Sequence, residues 1–298
     1  IVYYASWLDD YKPQMLVDLG YDPAKGDRMH QLPHTFSVDA EGEVVPGNRW
    51  PGTDKYLANC LYYIEESADM LKNRIRELDD DVLLKMDYFM PTLSFKDRGA
   101  ATLIAHCKSI GVQQVVQDSS GNAGNAVAAY CARSGIGCEI FVPEGTSPKK
   151  IDMIRAHGAV CTVVPGTRDH CAVVCREKVE REGVYYANHV YNPFFYEGTK
   201  TYIYEVFEQL GRIPASLVIP VGNGTLFLGA MYALEHLFNS GVIDRFPQII
   251  ALQSQNCDPL LRAAEHGKTE PEAVMPAPTI AEGIAIGKPM RGREILTL

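Results

Sequence analysis

The chain has 298 residues, 46% hydrophobic and 22% charged, with a net charge of −9 at pH 7. These ordinary globular values exclude a disordered or fibrous chain and leave room for two domains around a sizeable core. No basic patch dense enough for nucleic acid is present, and no apolar run approaches the roughly 20 residues that span a bilayer, so neither nucleic acid nor a membrane is an expected partner.

The first 60 residues give no clear pattern; "DAEGEVVPGNRWPG" (39–52) reads as loop and "EESADMLKNRIREL" (65–78) as a surface helix. From residue 82 short β-rich runs alternate with longer helical ones. Strands are expected at 82–86, 113–117, 138–143, 159–164, 184–188, 216–221 and 248–253. Helices are expected from about Asp97, at 122–135, 147–158 and 168–183, and near 196–210 and 225–239. Ser147 is the expected N-cap of the third helix, with Pro148 in its first turn and Gly158 beyond its end. Several strands are continuous apolar runs, which means both faces are covered. Alternating β and α elements with such strands give a doubly wound α/β fold with mainly parallel sheets. Residues 267–278 read as a Pro-rich loop.

The eight cysteines contain no C-x-x-C pair. Without a signal-peptide pattern they read as reduced, mostly buried thiols, and the cytoplasm is the expected compartment. His170, Cys171 and Cys175 invite a metal reading, but no second ligand cluster accompanies them. The four-residue spacing of the two cysteines fits one buried helix face beside Val174 and Val179. No metal is expected. The absence of an initiator Met, and an end at Leu298 inside an expected element, read as a trimmed or incompletely recorded chain.

Three strand-to-helix junctions carry unusual residues, and ligands bind at such junctions in open α/β sheets. The first, "PTLSFKDRG" (91–99), sets Lys96 at a helix start. It is either a surface lysine or a held, reactive amine. The second, "DSSGNAGNA" (118–126), offers far more hydroxyls and amides than one helix cap needs. It reads as a carboxylate-binding loop or as a flexible N-cap. The third, "PVGNGTLFLGA" (220–230), is a phosphate cup at a helix N-terminus or a tight turn. Phe227 stands where G-x-G-x-x-G needs its last glycine, and the P-loop lysine is absent, so a dinucleotide or nucleoside triphosphate is disfavoured. An amine, an anion cup and a carboxylate loop together match the demands of a phosphorylated aldehyde cofactor that stabilises carbanions, pyridoxal phosphate.

The ordered motifs "SFKDRG", "SSGNAGNAVAAYCARSGI" and "PVGNGT" resemble the fold-type II pyridoxal-phosphate enzymes of the tryptophan synthase β superfamily. The stretches "EGTKTYIYEVFEQLG", "LQSQNCDPLLRAAEHG" and "TIAEGIAIGKPMRGREIL" are similar to its threonine synthase-like branch. The resemblance covers roughly residues 65–296. It implies two three-layer αβα domains with the cofactor in the cleft between them. Residues 1–97 would belong largely to the larger domain, 98–190 would form a smaller mobile domain, and 191–298 would complete the larger one. By motif, Lys96 would form the Schiff base with pyridoxal 5'-phosphate and move the α-proton, with Phe95 beside it. Asn122 would bond the cofactor's 3′-oxygen. Val221, Gly222, Asn223, Gly224 and Thr225 would hold the phosphate, and Glu282 would pass near the ring. Ser119, Ser120, Gly121, Asn122 and Ala123 would hold the substrate carboxylate.

The family's G-E-G-x-T-P-L-like motif is not recognisable in residues 1–80, and the chain stops before the Ser or Thr that faces the pyridine nitrogen in relatives. The resemblance implies a homodimeric lyase on a small amino acid. Threonine synthase chemistry, O-phosphohomoserine plus water to threonine plus phosphate, is the first expectation. Serine/threonine dehydratase, diaminopropionate ammonia-lyase, cysteine synthase and other β-eliminating or β-replacing activities remain alternatives. A non-catalytic sensor of the same fold would be expected to have lost Lys96, Asn122 or the glycine loop, and all three are present.

Overall fold

The computed structural model describes residues 82–298 and the strands Phe36–Val38 and Val44–Pro46. The chain divides into two compact units, residues 1–93 and 94–298. In the first, β1 (Phe36–Val38) pairs antiparallel with β2 (Val44–Pro46), placing Ser37 opposite Val45. The β2 strand falls inside a stretch expected to be loop; its paired valines suit a pleated ladder better than their Gly- and Pro-rich flanks suggest. Conversely, residues 82–86 form no strand. Val82, Leu83 and Leu84 are exposed, and a 3-10 turn, Asp87–Phe89, follows them. An apolar run becomes a strand only with a partner, and none pairs with it among the described residues. The helix expected at 65–78 lies outside the described residues.

The second unit follows the expected alternation. Its elements in chain order are α1 (Lys96–Ser109), β3 (Gln114–Gln117), α2 (Asn122–Ser134), β4 (Gly137–Pro143), α3 (Pro148–Ala156), β5 (Val160–Val164), α4 (Arg168–Glu182), β6 (Tyr185–Tyr186), α5 (Pro193–Leu210), β7 (Ser216–Pro220), α6 (Thr225–Asn239), β8 (Gln248–Leu252), α7 (Pro259–Glu265) and α8 (Gly292–Thr297). One parallel sheet has the order β5-β4-β3-β6, and β7 pairs in parallel with β8. The fold class is therefore α/β with parallel sheets.

Both faces of the four-stranded sheet are covered, as its apolar strands require. Val115, Ile140 and Val142 pack with Leu103 and Ile104 of α1 and Val127 of α2. Their neighbours Val116 and Phe141 point the other way, onto Cys171 and Cys175 of α4. The two cysteines thus occupy the expected helix face, with Val174 and Val179 packed beside them. A separate core joins α5, α6, β7 and α8 through Ile203, Ile219, Leu228, Leu234 and Ile295.

Ser147 does occupy the N-cap of α3, yet its side chain makes no capping bond. Pro148 has no N–H, and the Ser147 carbonyl instead accepts from Lys150 N at 3.0 Å. Helix α5 starts earlier than expected because Asn192 caps it, accepting from Phe194 N at 3.0 Å. Helices α1, α5 and α6 stack through glycines. Gly99 lies under the Phe195 ring, Gly198 against the Arg98 carbonyl and Gly229 against Thr199; a Cβ at any of the three would overlap its neighbour. Between α1 and α5, buried Arg98 forms two parallel bonds to Glu205, at 2.5 and 2.6 Å, and donates to Thr201 Oγ1 at 2.8 Å.

Candidate active site

Helix α1 opens at Lys96 after a turn in which Leu93 takes a left-handed φ of 60°, strained for a branched residue. Ser94 then holds the entry: its Oγ accepts from Lys96 N at 3.3 Å and its carbonyl from Asp97 N at 3.1 Å. This geometry turns the Lys96 side chain toward α6, where Nζ donates to Thr225 Oγ1 at 2.7 Å. Nζ also lies 4.2 Å from the centre of the Phe95 ring and 5.8 Å from that of Phe195. Burial pulls the Lys96 pKa down from the usual lysine range to about 7. The amine is thus held, not a surface lysine, and it is poised to exchange a proton near neutrality.

Thr225 is the first residue of α6, so the glycine loop at its N-terminus and the amine meet at one point. Gly224 takes a left-handed φ of 90°, and a Cβ there would run into Ile295. Gly222 faces Ile286, which a Cβ would meet at 3.1 Å. Val221 is buried, its N–H bonded to Leu252 O at 2.9 Å. Asn223 Oδ1 accepts from Met290 N at 3.3 Å, tying the loop to the segment that follows Glu282. The α6 ladder begins with Leu228 N donating to Gly224 O at 2.8 Å, so the N–H groups of the first turn are left for another acceptor.

The Ser/Asn loop runs from the end of β3 into α2. Gly121 N donates to Ser119 Oγ at 3.4 Å, Ser119 is buried, and Ser120 is half-buried. Gly124 packs against the Ser119 carbonyl so tightly that a Cβ would overlap it. Asn122 opens α2 and is exposed, while Ala123 is buried. Buried Asn125 Oδ1 and Gln117 Oε1, on either side of this loop, have no hydrogen-bond partner in the structure.

Lys96, Phe95 and Thr225 are brought into direct contact. Glu282 is not: its side chain is 82% exposed and pairs with Lys150 of α3 at 3.2 Å. Two features escape a sequence reading. The Arg98–Glu205 pair fixes the first turn of α1, and 107 residues separate its partners. Buried His189 lies with its Nδ1 3.5 Å from Gln117 Nε2 and its ring edge-on to Phe195 at 5.8 Å. Burial first, then the charges of Lys96 and Arg168, hold it well below its ordinary pKa and so neutral. No local motif marks either one. Among the described residues no group of His, Cys, Asp or Glu is arranged to hold a metal.

A family model described as "Pyridoxal-phosphate dependent enzyme" matches residues 70–298. The chain is 29% identical over 218 residues to threonine synthase of Methanocaldococcus jannaschii, covering 72% of this chain and 54% of that one. It is 32% identical over 223 residues to threonine synthase of Halalkalibacterium halodurans, covering 74% and 59%. The chain thus spans little more than half the length of these relatives. Among solved structures, serine racemase from Dictyostelium discoideum superposes with a TM-score of 0.63 at 22% identity, covering 79% of this chain and 77% of that one. The processed form of threonine deaminase isoform 2 from Solanum lycopersicum gives a TM-score of 0.60 at 24% identity, covering 74% and 58%. The residues present fit the cofactor of such a family: a desolvated amine touches a helix N-terminus whose glycines are closely packed and whose first-turn N–H groups have no partner within the helix, as a phosphate would need.

Proposed function

Because the chain belongs to the pyridoxal-phosphate-dependent enzyme family, we propose that its Lys96 site is that of a lyase acting on a small amino acid, with threonine synthase-like specificity. The bond from Lys96 Nζ to Thr225 Oγ1, at 2.7 Å, carries the reading. It joins a reactive amine to an anion cup across 129 residues of sequence. The run of threonine synthases among the relatives supports the finer specificity. Pyridoxal phosphate, when bound, supplies the electron sink that makes the α-proton of an amino acid acidic.

The chain's own residues supply the rest. The N–H groups of Gly222, Asn223, Gly224 and Thr225 would hold the phosphate at the positive end of α6. Phe95 shields the amine on one side, and Asn122 would donate to the cofactor ring's oxygen substituent. Ser119, Ser120, Gly121 and Ala123 hold the substrate carboxylate, fixing which α-substituent faces Lys96. Nζ would accept the α-proton in its neutral form and return it as ammonium, one group serving as base and acid; the burial that lowers its pKa in the cofactor-free chain favours that double duty. In this proposal residues 98–190 form the smaller lobe, which carries the carboxylate loop, and 191–298 carry the cup.

The test has two parts. Purified protein loaded with pyridoxal phosphate is expected to show a visible absorption band that Lys96→Ala abolishes; a colourless wild type would sink the site assignment. Phosphate release from O-phosphohomoserine is the expected activity. Formation of 2-oxo acid from serine or threonine without that release would replace the threonine synthase reading by a dehydratase.

A further inference from the structure

Asp118 poses an electrostatic problem. It is the first residue after β3 and adjoins Ser119, so a carboxylate stands at the base of a loop assigned to bind a carboxylate. Like charges that close disfavour each other unless one is turned aside and bonded. The structure shows how Asp118 is engaged. Tyr186 donates its hydroxyl to Asp118 Oδ1 at 2.5 Å. Asn188 Nδ2 donates to the Tyr186 oxygen at 3.0 Å and to Asp118 Oδ1 at 3.4 Å. Burial first, and then the Asp118 charge, push the Tyr186 phenol above its ordinary range, so it remains a donor.

The contact network continues past Asn188. Its Oδ1 accepts from Val190 N at 2.8 Å and Tyr191 N at 3.0 Å, fixing the turn that launches α5. The Val190 carbonyl in turn accepts from the Tyr196 hydroxyl and from Arg291 Nη1, the latter at 3.1 Å. The loop entrance is therefore bonded through Tyr186 and Asn188 to the start of α5 and to Arg291 near the chain's end.

We propose that Asp118, Tyr186 and Asn188 are positioning residues: a clamp that fixes the entrance of the Ser119–Asn122 loop and turns the Asp118 charge away from an incoming substrate carboxylate. The proposal rests on reading that loop as the carboxylate site. The clamp holds the loop in place before substrate arrives, so less ordering remains to be done on binding.

Two arms separate the clamp from the reading beneath it. In the loaded wild type, the spectral half-saturation by L-serine and by ethanolamine, which lacks the carboxylate, reads the loop alone. Equal values overturn the carboxylate reading. The clamp is read in Tyr186→Phe. Backbone amides 118–122 are expected to exchange hydrogen about tenfold faster in the cofactor-free protein, and half-saturation by L-serine to rise about tenfold. Asp118→Ala is expected to match Tyr186→Phe, and the double variant to be no worse than either. Asp118→Asn, which keeps an acceptor for Tyr186, is expected to retain wild-type behaviour in both readouts. Unchanged exchange in both single variants overturns the clamp. Faster exchange with unchanged half-saturation also overturns it, because the network would then serve the fold alone.

Discussion

At the scale of single residues, Lys96 is a cost carried by the fold. The unfolded chain binds a proton at this lysine up to its ordinary pKa near 10.5, while the folded chain binds it only below about 7. Between those values the unfolded state holds more protons, so stability rises with pH across that window and stays at its low level below it. Each tenfold loss of proton affinity on folding costs about 1.4 kcal/mol. Lys96→Met in the cofactor-free protein is therefore expected to be more stable than wild type by a few kcal/mol at pH 6, with the gap closing toward pH 10. Urea unfolding at a series of pH values measures it; a constant gap would mean the amine is not desolvated in the fold. The second depressed group, His189, works at lower pH. Its folded pKa lies below its ordinary 6.5, so stability falls further as pH drops below that value.

At the scale of elements, Arg98 and Glu205 fasten α1 to α5 in a place with almost no solvent. Removing one partner takes the paired charge from the other inside the fold, so Arg98→Met or Glu205→Gln is expected to cost about 3–5 kcal/mol. The double replacement Arg98→Met with Glu205→Leu should recover much of that loss in thermal unfolding; a double variant as unstable as the sum of the singles would deny the coupling. The same elements show what the sequence makes legible. The helices and strands from 96 to 252 could be read because apolar runs and glycine, serine and proline punctuation are local signals. The second and third loops could be placed at strand-to-helix junctions because glycine and hydroxyl density is local too, whereas a 3-10 turn, not a strand, precedes the first. The strand wrongly expected at 82–86 failed because pairing depends on a partner that apolar character does not reveal. The short β2 was missed because its three residues are surrounded by turn formers. Arg98–Glu205, Tyr186–Asp118 and His189–Gln117 join residues 107, 68 and 72 apart, and no periodicity in one chain encodes such contacts. Glu282 is the instructive case within the site. Its segment passes the Gly222 loop through Ile284 and Ile286, but the glutamate side chain, expected near the cofactor ring, pairs with Lys150. A motif locates a backbone more securely than the direction of a side chain.

At the scale of the whole molecule, the site depends on a stack of helices more than on the sheets that flank it. Gly99, Gly198 and Gly229 let α1, α5 and α6 approach until backbone and ring touch. The spacing between the start of α1 and the start of α6 is set by packed backbone, the Phe195 ring and Thr199, which leave it little slack. The stack acts as a fixed gauge that sets Lys96 against the start of α6 before any cofactor arrives. Admitting one asks only that the bond from Lys96 Nζ to Thr225 Oγ1 open. Stopped-flow absorbance should record cofactor uptake as a single exponential whose rate levels off with pyridoxal phosphate concentration at that of condensation with Lys96. A second, slower phase would show that the gauge has play in it after all.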